Sequence, residues 1–286
     1  MAVRAPADRV RQRGGMDFSG KHVVVTGGSS GIGLAAALEF ASFGASLSLI
    51  ARDRQKLDTA ASRIARLNSR VTVAAADVSD EQAVCAAIAG LTAQSGPCDV
   101  LVTSAGITYP GYFEQLDAKV FRQMMDVDYF GTLYPIQAVI PSMMSRRAGS
   151  IVAISSAAGL VGVFGYTAYA ASKFAVRGLL DSLRQEMTPY GIHVGVAYPP
   201  DTDTPMLRYE NEFKPLETRK IAGAIRPVSA ERVAKAIVNG VRRRRRVITA
   251  DPLTALLYRA GGLIEPLLTA DFNRKVRQAR RERGAG

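Results

Sequence analysis

"HVVVTGGSSGIGLAAALEF", His22 to Phe40, decides how this chain is read. It opens on a short valine-rich run, the pattern of a strand buried on both faces. It then turns through glycines and serines into an alanine-rich stretch, a helix closed by Gly44. Gly27, Gly31 and Gly33 fall in the spacing GxxxGxG, with Ser29, Ser30 and Ile32 in the same turn. Small residues let backbone amides approach a ligand that side chains would obstruct, and the helix N-terminus adds partial positive charge. Both favour a pyrophosphate. A glycine triplet alone is weak evidence, but between a strand and a helix it points to a dinucleotide.

The same alternation continues outward. "SLSLIAR" reads as a second strand, followed by a helix with Asp53 at its N-cap. "VTVAAAD", "CDVLVTSAG", "SIVAISS" and "GIHVGVAYP" are further strands, each after a helical stretch. Short valine- and isoleucine-rich strands alternating with helices imply an α/β fold with a parallel sheet covered on both faces. The chain has 286 residues, 48% of them hydrophobic, enough for one sizeable core. One domain is expected over 18–250, after a basic lead, 1–17, that reads as disordered. A C-terminal extension occupies 251–286.

Composition narrows the chemistry. The net charge is +12, concentrated in Arg242 to Arg246 and in a run from Arg274 to Arg283. No recognition module accompanies these arginines, so nucleic acid is not the expected partner. The two cysteines, Cys85 and Cys98, lack metal-like spacing to histidine, and no metal site is expected; they read as free thiols in a reducing cytoplasm. His22 and His193 each precede a valine-rich strand and read as structural. The first residues carry charge but no apolar run, so no secretory leader is expected. No stretch reaches the ~18 uninterrupted apolar residues of a bilayer span.

A carboxylate at the end of the second strand would bind the ribose 2′-hydroxyl of NAD. Here Arg52 stands at that end, and an arginine pairs with a 2′-phosphate. NADP(H) is therefore the expected cofactor. Further on, "SSAAGLVGVFGYTAYAASK" places Tyr169 and Lys173 four apart on one helix face. A phenol near pKa ~10 is a poor base at neutral pH, and a neighbouring ammonium lowers that value. The pair then exchanges a proton with a substrate oxygen. Ser156, at a strand end, is positioned to hold that oxygen.

With the glycine loop, Ser156 and YxxxK together, residues 18 to 250 resemble the short-chain dehydrogenase/reductase family. The resemblance implies a Rossmann-type sheet of about seven strands and hydride transfer between a nicotinamide and a carbonyl or alcohol. By matching motif, Ser156 positions the carbonyl, Tyr169 is the acid/base, and Lys173 binds the ribose hydroxyls. Asp77 and Val78 match the adenine contact; Ala105 and Gly106, in "TSAG", match a cofactor wall. One departure stands out. The family's catalytic asparagine is replaced by Asp128, in "VDYFG". A carboxylate stabilises protonated Lys173 and opposes any lowering of the Tyr169 pKa, which predicts an altered proton relay.

"YPPDTDTP", Tyr198 to Pro205, stands where the family's last core strand gives way to a loop over the nicotinamide. Pro199, Thr202 and Thr204 are its expected cofactor contacts. This wording, with "VDYFGTLYP", resembles the 3-ketodihydrosphingosine reductase subfamily, which implies NADPH-dependent reduction of a long-chain lipid ketone. Residues 203–227 are then the expected substrate lid. Val161, Phe164, Tyr166 and Met206 are candidate substrate residues, with plain core packing as their alternative. A β-ketoacyl lipid or steroid-like alcohol fits such apolar residues equally. Asp128 keeps open a third reading, a cofactor-binding regulatory protein without turnover. The resemblance also suggests a homodimer or homotetramer built through the helices of 116–146 and 167–190.

After the last strand, apolar residues at 253, 256, 257, 260, 264, 267 and 268 follow helical spacing. Arg259, Gly261–Gly262 and Pro266 argue against a spanning helix. Arginine clusters on both sides suit an anionic membrane surface, so 242–286 is a candidate peripheral contact on the inner face of a membrane. Covering the core or a subunit interface is the alternative.

Overall fold

The computed structural model describes residues 15–223 and 226–284. Most of the expected basic lead, and 224–225 of the expected lid, lie outside them. The six apolar strand runs become β1 (His22–Thr26), β2 (Ser46–Ala51), β3 (Val71–Ala75), β4 (Val100–Thr103), β5 (Ser150–Ile154) and β6 (His193–Ala197). Two further two-residue strands, β7 (Thr202–Asp203) and β8 (Val228–Ser229), pair only with each other. The last strand is β9 (Val247–Ile248). Around them run α1 (Gly31–Ala41), α2 (Arg54–Ala65), α3 (Glu81–Ser95), α4 (Ala118–Met124), α5 (Gly131–Arg146) and α6 (Thr167–Met187). The C-terminal third adds α7 (Pro205–Phe213), α8 (Leu216–Ala222), α9 (Ala230–Arg242) and α10 (Pro252–Gly284).

The main sheet is parallel, seven strands in the order β3-β2-β1-β4-β5-β6-β9. It is the Rossmann-type sheet that the alternation and the resemblance imply. Side chains of β1 alternate between its two faces. Val23 and Val25 pack with Phe40, Leu57 and Ile237; Val24 packs with Leu101, Ile136 and Leu180 on the other side. All three valines are fully buried, each contributing roughly 1.5–3 kcal/mol over exposure. Sequence order reverses between β1 and β4, which splays their following loops apart and opens a crevice at the strand C-termini.

The histidines are structural, as read. His22 bonds the Gly96 carbonyl and Ser48 Oγ, each at 2.7 Å, and burial lowers its pKa. Nε2 of His193 pairs with the Arg245 carbonyl at 2.9 Å. Neither cysteine joins a metal cluster among the described residues: Cys85 is exposed, and burial pushes the Cys98 thiol up to about 12.

Candidate active site

A cleft of about 730 Å³ crosses the C-terminal ends of β1 through β6. At one end lies the glycine turn. Gly27 (φ +66) and Gly31 (φ +53) both hold left-handed backbone, and a Cβ on Gly27 would sit 2.6 Å from the Ala105 amide nitrogen. Gly27, Ser29, Ser30, Gly31 and Ile32 line the cleft; Gly33 lies behind them, against the Gly27 carbonyl. The Ser30 side chain makes no cap hydrogen bond to α1, and the first turn of α1 carries no acid. α2 and α3, by contrast, are capped by Asp53 and Asp80. The first amides of α1 are thus free of a side-chain cap at the cleft wall, the arrangement that accepts a phosphate.

Arg52, directly after β2, lines the same end, with its Nη1 3.8 Å from Asp77 Oδ2. Asp77 is fixed through its other oxygen by the Ser79 amide (3.0 Å) and hydroxyl (2.7 Å). Val78, Ala105 and Gly106 complete this wall. Lys56, on the first turn of α2, faces the cleft beside Arg52 and adds a second cation there. The glycine cradle, the uncapped helix and the paired cations fit a phosphorylated dinucleotide.

Ser156, Tyr169 and Lys173 meet in the middle of the cleft. Ser156 follows β5 and caps a single 3-10 turn, accepting the Ala158 amide at 3.1 Å. Tyr169 and Lys173 stand one turn apart on α6, with Lys173 Nζ 5.5 Å from the Tyr169 ring centroid. Asp128 does not reach the cleft wall. It lies fully buried behind Lys173, in a π-helical turn, Met125–Phe130, that joins α4 to α5. Its Oδ1 sits 3.5 Å from Lys173 Nζ and accepts the Ile107 amide at 2.9 Å; Oδ2 accepts the Ser172 hydroxyl at 2.7 Å. Burial pushes the Asp128 carboxyl up, while Lys173, the amide and the hydroxyl pull it back.

The expected lowering of the Tyr169 pKa is not seen. Burial and the Asp128 carboxylate push the phenol above its ordinary value, and only Ser156 acts clearly downward. Burial is the larger cause; the Asp128 carboxylate, 3.5 Å from Lys173 Nζ, adds to it and opposes phenolate formation.

Pro199 and Thr202 line the cleft past β6. Thr204 lines it too, but its hydroxyl is committed to capping α7, accepting the Leu207 amide at 3.3 Å. The chain leaves the sheet at β7 and returns at β8, so this two-stranded clamp holds the ends of the segment carrying α7 and α8. Val161, Tyr166 and Met206 line the cleft. Phe164 does not; its ring packs edge-on to Tyr112 and its carbonyl accepts the Thr218 hydroxyl. Asp201, Glu210 and Lys214 also line the cleft and were not singled out in the sequence. Their signal, an i, i+4 Glu–Lys pair on a short helix, reads as a solvated face until the fold buries it.

Residues 21–215 match the short chain dehydrogenase family. The chain belongs to the short-chain dehydrogenase family. Membership makes it an oxidoreductase, and the matched residues span the glycine turn and the YxxxK pair described above. Among family members, it is 46% identical over 228 residues to 3-dehydrosphinganine reductase of Danio rerio, covering 78% of this chain and 69% of that one. It is 47% identical over 224 residues to 3-ketodihydrosphingosine reductase of Bos taurus, covering 77% and 68%. The solved structure of ElxO with NADP bound superimposes with a TM-score of 0.73 at 27% identity, over 81% of this chain and 97% of that one.

Proposed function

We propose that this short-chain dehydrogenase reduces 3-ketodihydrosphingosine to dihydrosphingosine with NADPH. What carries the reading is one cleft that joins the uncapped α1 N-terminus to Ser156, Tyr169 and Lys173, in a chain 46–47% identical to proteins named for that substrate. The bound cofactor supplies the hydride. Arg52 and Lys56 hold its 2′-phosphate, and the α1 amides its pyrophosphate. Ser156 Oγ donates a hydrogen bond to the ketone oxygen. Tyr169 Oη gives that oxygen its proton as the carbon becomes tetrahedral. A phenol raised by burial is neutral at physiological pH, the form that a proton donor needs. Lys173, held by Asp128, orients the ribose and restores the tyrosine's proton.

The substrate's long chain leaves the cleft between the lid and α10, where Leu207, Leu253 and Leu257 line the wall. On the same helix, Leu256, Leu263 and Leu267 are exposed. With the arginines of 242–246 and 274–283 they form a peripheral contact for an anionic membrane surface, from which a lipid ketone is drawn.

The test is NADPH oxidation with 3-ketodihydrosphingosine beside a β-ketoacyl thioester and a steroid ketone. The sphingoid ketone is expected to give the highest kcat/KM, and Tyr169→Phe to lower it by about 10²–10⁴-fold. A higher kcat/KM on either comparison substrate would reassign the substrate.

A further inference from the structure

Charge at the lid end of the cleft is unbalanced. Asp201, Glu210 and Lys214 all line it; Arg226 and Arg232 line the cleft too, but among the described residues only Lys214 comes within ion-pair distance of the two carboxylates. Lys214 Nζ lies 2.7 Å from Glu210 Oε1 and 3.5 Å from Asp201 Oδ2. The Tyr166 hydroxyl donates to the same Glu210 oxygen at 3.0 Å. Both partners thus converge on Oε1, and among the described residues nothing hydrogen-bonds Oε2. Glu210 is only 7% exposed. A carboxylate has about four lone-pair sites, and those of Oε2 stay open to solvent in a side chain that lines the cleft, free to take a donor that enters it. A latch holding α7 to the body would need only the Glu210–Lys214–Tyr166 contacts; it leaves Oε2 and the second carboxylate unexplained.

The surplus charge sits beside the reacting group. The Tyr166 and Tyr169 rings are 5.8 Å apart, and Glu210 and Asp201 both help to push the Tyr169 phenol up. A ligand that completes this cluster carries a cation a bond or two from the ketone that Tyr169 protonates. 3-Ketodihydrosphingosine has that pattern, with a protonated amine on the carbon next to its ketone; β-ketoacyl chains and steroid ketones do not.

We propose that Glu210 Oε2, oriented by Tyr166 and Lys214 and assisted by Asp201, binds the substrate ammonium and thereby selects long-chain amino ketones. This rests on the function proposed above. A free carboxylate oxygen in a mostly buried side chain gives a charge-assisted bond that an uncharged substrate cannot form.

The test compares 3-ketodihydrosphingosine with the ketone of equal length that carries hydrogen in place of the amine, in detergent micelles with NADPH. The wild-type kcat/KM ratio is expected to favour the amine by about ten- to a hundredfold. Glu210→Gln, which keeps the shape and an acceptor for Tyr166, brings the ratio near one, chiefly through KM for the amine. Asp201→Asn, on a half-exposed side chain, lowers it severalfold. A wild-type ratio near one overturns the ammonium site while leaving the reductase in place, and needs no variant. A ratio unchanged in both variants overturns it as well. A wild-type protein inactive on both ketones overturns the substrate assignment, and the ammonium site with it.

Discussion

Asp128 changes the proton inventory of the site without touching the cleft. Its carboxylate takes the charge of Lys173 at 3.5 Å and raises the neighbouring phenol. Asparagine at this position would still accept the Ile107 amide and would donate to Ser172 Oγ, but it would leave Lys173's charge to act on Tyr169. In alcohol oxidation Tyr169 must be a phenolate base, so the rate climbs as pH rises through its pKa. Removing a negative charge lowers that pKa. Asp128→Asn is therefore expected to move the rising limb of the pH–rate profile for dihydrosphingosine oxidation to lower pH, by on the order of one unit. Superimposable profiles would remove Asp128 from the relay. At this scale the sequence was legible where a residue's role follows from its neighbours along the chain, as with Tyr169 and Lys173. It was opaque where the role comes from distant burial. Nothing local distinguishes Glu210 from a solvated glutamate until Tyr166, 44 residues earlier, closes on it.

The elements themselves were read from pattern and periodicity, and the six longer strands lie where their short apolar runs put them. β9 was not legible, because two residues carry no period; it exists because β6 offers Val196 and Ala197 as ladder partners. The π-helical turn holding Asp128 likewise left no mark in hydrophobic spacing. Pro266 and the Gly261–Gly262 pair were read as arguing against a spanning helix, and α10 runs through them unbroken. Pro266 is exposed, so water can satisfy the carbonyl freed by its missing N–H. The β2–α2 junction is the element whose chemistry is easiest to test. Arg52 sits at the strand end and Lys56 one turn into the capped helix, both toward the cleft. Arg52→Asp replaces a phosphate partner with a ribose partner. The NADPH-to-NADH ratio of kcat/KM is expected to fall by about ten- to a hundredfold, with Lys56 retaining part of the preference. An unchanged ratio in steady-state assays would show that Arg52 does not read the 2′-phosphate.

Across the whole molecule, α10 connects cleft, α8 and surface. Near its start Leu253 and Leu257 line the cleft. Toward its end Lys275 reaches the Ile221 carbonyl, Glu282 pairs with Lys220 at 2.6 Å, and Arg283 donates to the Tyr112 hydroxyl. The helix thus braces α8 while presenting an apolar edge outward. No described helix is long and apolar enough to cross a membrane. Leu263 is 85% exposed and Leu267 73%, on the helix face that also carries Leu256. Burying two such leucines in an acyl boundary contributes roughly 3–6 kcal/mol, a factor of at least a hundred in partitioning. The basic clusters add about 1 kcal/mol per charge near an anionic surface, screened over a Debye length of about 8 Å at physiological salt. The wild-type protein is accordingly expected to float with phosphatidylserine vesicles and to float less in high salt. Leu263→Asp with Leu267→Asp is expected to abolish flotation. Neither residue lines the cleft, so turnover of a detergent-dispersed ketone stays within about twofold. Undiminished flotation of the double variant would separate membrane binding from this stripe. A drop in oligomeric mass in the same variant would assign the stripe to subunit contact, the competing use of an exposed leucine edge.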